Sequence, residues 1–153
     1  MKVYHLIWVV FVLIIISCKE DKREVDEPNK KEKAISIADT LSLRLNADDK
    51  WLVNNETHEG VTKIKAIISD FKKGENTNYE ALGDSLSKQT SYIIKNCTMT
   101  GEPHDQLHVV LVPILDEISI LRESKNNLES EKALKNLKEL IEIYYQFFKL
   151  QIK

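Results

Sequence analysis

One stretch of twelve residues gathers a thiol, a thioether and two imidazoles: Cys97-Thr-Met99-Thr-Gly101-Glu-Pro103-His104-Asp105-Gln-Leu107-His108. His104 and His108 are four apart, so on a helix they share one face. That is ordinary spacing for two metal-ligating imidazoles. The nearby sulfurs make the donor set soft. Soft donors favour Cu(I), and His2Cys with one further ligand also suits Zn(II). The candidate ligands are therefore Cys97, Met99, His104 and His108. The stretch offers no evident base to turn a metal-bound water into a nucleophile, so the chemistry it suggests is binding rather than turnover.

The same residues also fit plain packing. Free cysteine is among the most buried residue types, and Met99 reads equally as a plug for the end of a core. His104 can sit at a helix entrance beside Asp105, and His108 can bond a carbonyl loosened by Pro113. Other chemistries have less behind them. A Cys97 nucleophile paired with either histidine lacks an evident oxyanion hole. Asp105-x-x-His108 resembles half of the Glu-x-x-His motif of di-iron bundles, without a second repeat or bridging glutamates. The four glycines are scattered, which leaves no phosphate-cradling loop. The absence of Cys-x-x-Cys removes thioredoxin-like and c-type haem readings.

Helical periodicity supplies the elements that must position these side chains. Asn54, Asn55 and Thr57 are cap candidates for a first helix carrying Val61, Ile64, Ile67, Ile68 and Phe71, closed by Lys72-Lys73-Gly74. A second helix follows Asn76-Thr77-Asn78 with Tyr79, Leu82, Leu86, Ile93 and Ile94 on one face, and Cys97 continues that stripe. Gly101 breaks the chain and Pro103 suits the first turn of a third helix. That helix carries Leu107, Leu111, Ile114, Leu115, Ile118 and Leu121, with a kink expected near His108–Val109 from Pro113. A fourth helix carries Leu134, Leu137, Leu140, Ile141, Tyr144, Phe147 and Phe148. Ahead of them, alternation at Leu41, Leu43 and Leu45, turn residues Asn46–Asp49 and the apolar Trp51-Leu52-Val53 predict a short β-hairpin over about 41–53. Short connections predict antiparallel neighbours. The expected fold is thus mainly α: an antiparallel up-down four-helix bundle preceded by a short β-hairpin. That order gathers His58, Cys97, Met99, His104, His108, Tyr144 and Tyr145 at one end, with the two histidines of the third helix pointing inward.

The N-terminus carries an address. Lys2 precedes eleven apolar residues, Leu6 to Ile16, too few for a hydrocarbon core that takes about 20 in a helix. A basic start, an apolar run and a small residue before the cut describe a secretory signal. Its end, Ile15-Ile16-Ser17-Cys18, resembles the lipobox of bacterial lipoproteins. That resemblance implies cleavage after Ser17 and lipidation of Cys18, and several acyl chains on one residue anchor stably where one is marginal. Residues 19–33 carry twelve charged side chains and cannot bury enough apolar surface to order themselves. Lys19-Glu20-Asp21 is similar to the acidic tag that takes some lipoproteins to the surface, and reads equally as a spacer. The predicted organisation is a signal at 1–17, a lipidated cysteine and charged tether at 18–34, and a folded domain at 35–153.

The mature chain keeps 21 of the 22 basic residues and all 24 acidic ones, a formal charge of −3. With no basic stripe between aromatics, nucleic acid is excluded as a partner class. With Cys18 lipidated, Cys97 has no internal disulfide partner, and an unpaired thiol in an oxidising compartment calls for burial, a metal or a redox role. The pattern Trp51-x-x-Asn54-x-Glu56-Thr57-x-x-Gly60, followed by Cys97-x-Met99-x-Gly101-x-x-His104-Asp105-x-Leu107-His108, resembles a family of small uncharacterised bacterial envelope proteins across about residues 45–150. That family has no established activity, so the resemblance implies a helical fold and highlights the junction. The expectation is a lipid-anchored envelope binding module, at the outer membrane and facing periplasm or surface, with copper or zinc as ligand. The alternative is a structural or protein-interaction lipoprotein without metal, with an envelope protein as partner. An enzyme ranks third.

Overall fold

The computed structural model describes residues 36–72 and 77–151. The predicted signal, Cys18 and tether lie outside them, as do the helix terminator Gly74 and the cap candidate Asn76. Four helices form where the apolar spacing places them: α1 (Asn55–Asp70), α2 (Tyr79–Asn96), α3 (Glu102–Glu123) and α4 (Asn127–Phe147). Their starts have local causes. The Asn78 side chain accepts from the Ala81 N–H at 2.9 Å, and the Asn126 side chain accepts from the Leu128 N–H at 2.9 Å, each satisfying a donor that the helix cannot. Gly101 and Pro103 open α3, which continues uninterrupted through Pro113. A short 3-10 turn, Ile37–Thr40, precedes them and packs on α4, where the Ser36 hydroxyl bonds Glu139.

Successive helices pack on one another, and α1 also touches α4. Their register can be followed through paired side chains. Phe71 at the end of α1 meets Tyr79 at the start of α2, ring centroids 5.7 Å apart. The Tyr92 hydroxyl donates to Glu59 at 3.1 Å. Arg122 reaches Asp84 at 2.9 Å, Asn136 donates to Glu117 at 2.9 Å, and Lys65 meets Glu142 at 2.8 Å. Between the helices lies one core, including Ile64, Leu86, Ile93, Leu107, Ile114, Leu121, Leu137, Leu140 and Tyr144. Burying a side chain of this size contributes about 1.5–3 kcal/mol, so this core outweighs the exposed ion pairs, which serve mainly as markers of register.

The predicted hairpin is not what forms. Residues 46–49 do turn tightly: Asn46 and Asp49 exchange backbone hydrogen bonds of 2.9 and 3.0 Å, and Ala47 takes φ 52°. Pairing goes no further back along 41–45. Instead β1 (Trp51–Val53) pairs in parallel with β2 (Phe148–Leu150), in the register Trp51↔Phe148, Leu52↔Lys149, Val53↔Leu150. Phe148, expected on the fourth helix, is thus the first residue of a strand. The reason is burial: this pairing puts Trp51, Val53 and Phe148 into the core, whereas Leu41 and Leu43 are only half-buried and Leu45 is exposed. Among the described residues no helix is long and apolar enough to cross a membrane.

The α2–α3 contact is close enough to test. A Cβ on Gly83 would lie 2.5 Å from Arg122 Cγ, 2.9 Å from the Arg122 backbone nitrogen and 3.2 Å from the Ile118 carbonyl oxygen. Helix propensity alone favours alanine over glycine by about 1 kcal/mol. Overpacking costs about 1–3 kcal/mol, and a backbone atom cannot swing aside as a side-chain tip does. Gly83→Ala is therefore expected to lower the urea midpoint with an unchanged slope. A midpoint at or above wild type would show that the helices separate freely here.

Candidate metal centre at the junction of the second and third helices

Three local features set the geometry between α2 and α3. The Asn54 side chain, ahead of α1, donates to the Asn96 carbonyl at 3.0 Å, tying down the last turn of α2 one residue before Cys97. Gly101 takes φ 67°, in the left-handed region that favours glycine, and its carbonyl accepts from the N–H groups of His104 and Asp105, both at 3.0 Å. Arg44 braces the start of α3 from outside: its backbone N–H donates to Gln106 Oε1 at 2.9 Å and its guanidinium pairs with Glu102. The Arg44 carbonyl in turn accepts from Trp51 Nε1 at 2.7 Å, so the junction is linked to the strand that feeds α1.

The result brings Cys97 Sγ to 3.6 Å from His104 Nδ1, and His104 to His108 with ring centroids 4.5 Å apart. Cys97 and Met99 are half-buried against the core, and His104 is half-buried. Two ligands at about 2.3 Å (sulfur) and 2.0–2.1 Å (nitrogen) from a tetrahedral ion lie about 3.5 Å apart. The observed thiol–imidazole separation matches that spacing. It also suits a hydrogen bond between the two groups, and it is the minimum a thiol nucleophile and base would need.

His108 does not point inward as the periodicity suggested. It is exposed, while Gln106, Leu107, Val110 and Leu111 are buried. The apolar line through Leu111 and Leu115 misplaced the buried arc. The packed face of α3 is displaced toward Gln106, Val110 and Glu117, and the two polar positions among these are ones that hydrophobic periodicity does not count. That rotation carries His108 to the solvent side and leaves His104 on the flank. Among the described residues, no group of three or more His, Cys, Asp or Glu side chains is arranged to hold a metal ion. A protein site here thus starts from the Cys97–His104 pair.

The remaining residues expected at this end form a group of their own. His58 lies between Tyr144 and Tyr145, with ring centroids at 6.2 and 5.8 Å, and the Tyr144 hydroxyl is 3.4 Å from His58 Nδ1. Burial, with a smaller contribution from Tyr145, pushes the Tyr144 phenol well above its ordinary value. Asn54, read from the sequence as a cap candidate, sits at the N-cap of α1 but uses its side chain on Asn96 instead; neither that clamp nor the brace made by Arg44 was foreseen, because a contact to a distant backbone carries no periodic signal. A groove of about 630 Å³ lies elsewhere, running past Phe71, Leu82 and Lys88. No protein-family model, no curated protein and no solved structure matches this chain.

Proposed function

We propose that this chain is a lipid-anchored cell-envelope binding module in which a charged tether holds a helical domain at the outer membrane and Cys97 and His104 seat copper or zinc. The single observation behind the metal is the 3.6 Å approach of Cys97 Sγ to His104 Nδ1, which matches two ligands on one ion. His108, beside His104, and Met99, beside the pair in sequence, are the further donors. The role that follows is sequestration, delivery or sensing. The anchor rests on the lipobox-like Ile15-Ile16-Ser17-Cys18 and the charged residues after it. We read the bundle as antiparallel and up-down, supported by the pairing of Phe71 with Tyr79, Asp84 with Arg122 and Glu117 with Asn136. A second reading, a protein-interaction lipoprotein without metal, is favoured by the exposure of Ile94 and Val112 near the same junction.

Metal analysis separates the two. Copper and zinc would be quantified on the purified chain and on a His104→Ala/His108→Ala variant. Losing even a group that merely orients a ligand typically weakens metal affinity by about 10–100-fold, so removing the ligands is expected to exceed that. Equal and negligible metal in both proteins would remove the metal reading and leave the interaction one.

A further inference from the structure

The Cys97–His104 pair is half-buried and borders a surface patch. Ile94 lies in the last turn of α2, three residues before the cap residue Cys97; His104, His108 and Val112 follow one another at intervals of four and form one ridge of α3. The Cys97–His104 contact joins the two into one patch. On it, Ile94 is 57% exposed and Val112 47%, and His108 is exposed between them and the junction. Ile94 was expected inside; α2 instead buries Leu86, Thr90 and Ile93, which turns Ile94 outward.

A single chain brings two donors to within ion-binding distance of each other, and a closed zinc site takes four. Among the described residues no third His, Cys, Asp or Glu completes the pair, and a thioether such as that of Met99 is not a usual zinc ligand, so two positions stay open within one chain. A two-fold axis through such a site presents the same two donors again, since the same patch of each copy meets the other. Building on the metal-binding reading, we propose that a second copy of this chain completes the site, with one Zn(II) held tetrahedrally by Cys97 and His104 of each copy. Ile94 and Val112 are then covered by the opposing copy, and His108 flanks the ion. The apolar patch is small, so the ion carries the association and the dimer is metal-dependent.

The test uses the full chain in an excess of detergent micelles, so that each micelle carries one chain. Mass is followed by sedimentation and by native mass spectrometry. After chelation the chain is expected to be a monomer, and zinc addition to give a dimer with one zinc per two chains. His104→Ala should lose both the zinc and the dimer. Val112→Lys, at an exposed position outside the ligand set, should raise the zinc concentration needed for dimerisation about tenfold. One zinc per monomer without dimerisation overturns the shared site while leaving metal binding in place. A dimer indifferent to zinc, or to Val112→Lys, overturns it as well. Absence of bound zinc in wild type overturns both the shared site and the zinc form of the binding reading.

Discussion

Tyr144→Ala is expected to lose about 3–5 kcal/mol of stability, the cost typical of truncating a large aromatic in a core. Tyr144 is fully buried, stacks on Phe148 with ring centroids 5.2 Å apart, and meets Tyr145 edge-on at 5.3 Å. It therefore joins the end of α4 to the strand that pairs with Trp51. Losses of this size approach the whole stability of a small domain, so the variant should unfold near room temperature or bind a hydrophobic dye. Tyr144→Phe keeps the ring and loses only the hydroxyl near His58, a change of about 0.5–1.5 kcal/mol. Near-equal urea midpoints for Tyr144→Ala and wild type would mean that the end of α4 is not packed as described.

The same phenol predicts how stability depends on pH. Its folded pKa is raised by burial, while in the unfolded chain it returns to about 10. The stability this contributes is fully present below about pH 10 and is lost as pH rises toward the folded value, because only the unfolded chain then releases the proton. One such group gives a slope of up to about 1.4 kcal/mol per pH unit. Urea midpoints above pH 10 should fall faster in wild type than in Tyr144→Phe. Parallel decline in the two proteins would assign the alkaline sensitivity to other groups.

Cys18→Ser carries the other large effect, on location instead of folding. Under the proposed anchoring, Cys18 takes the acyl chains that make membrane binding stable. The serine variant is expected to take up no labelled lipid. Unchanged lipid labelling would refute Cys18 as the acylated residue and with it the proposed tether. Because the change lies outside the helical domain, the urea midpoint of the variant should match wild type. A fold defect is thereby separated from a targeting defect.

Most of the helical framework was legible because it depends on local spacing. Val61, Ile64 and Ile68, or Leu134, Leu137 and Ile141, recur at intervals that only a helix turns to one side. Asn78 and Gly101 mark helix starts through bonds or backbone angles made within a few residues; Asn126 does the same for α4, though the sequence showed it only as part of a polar connection. The junction was visible as a cluster of residue types for the same reason. Two features were not visible. The partner of Trp51–Val53 is about a hundred residues away in sequence, and no local pattern distinguishes Phe148-Lys149-Leu150 as a strand from one more helical turn. The rotation of α3 about its axis depends on Gln106 and Glu117 being buried, which hydrophobicity argues against.

The sequence by itself determined the helical class, the approximate limits of four helices and the gathering of Cys97, Met99, His104 and His108 at one turn, since each follows from interactions between near neighbours in the chain. Tertiary structure alone decided that β1 pairs in parallel with the chain's far end, that Cys97 meets His104, and that His108 faces water. Those outcomes are set by how whole faces pack, and a face's final rotation is the compromise that buries the most surface across all its neighbours at once.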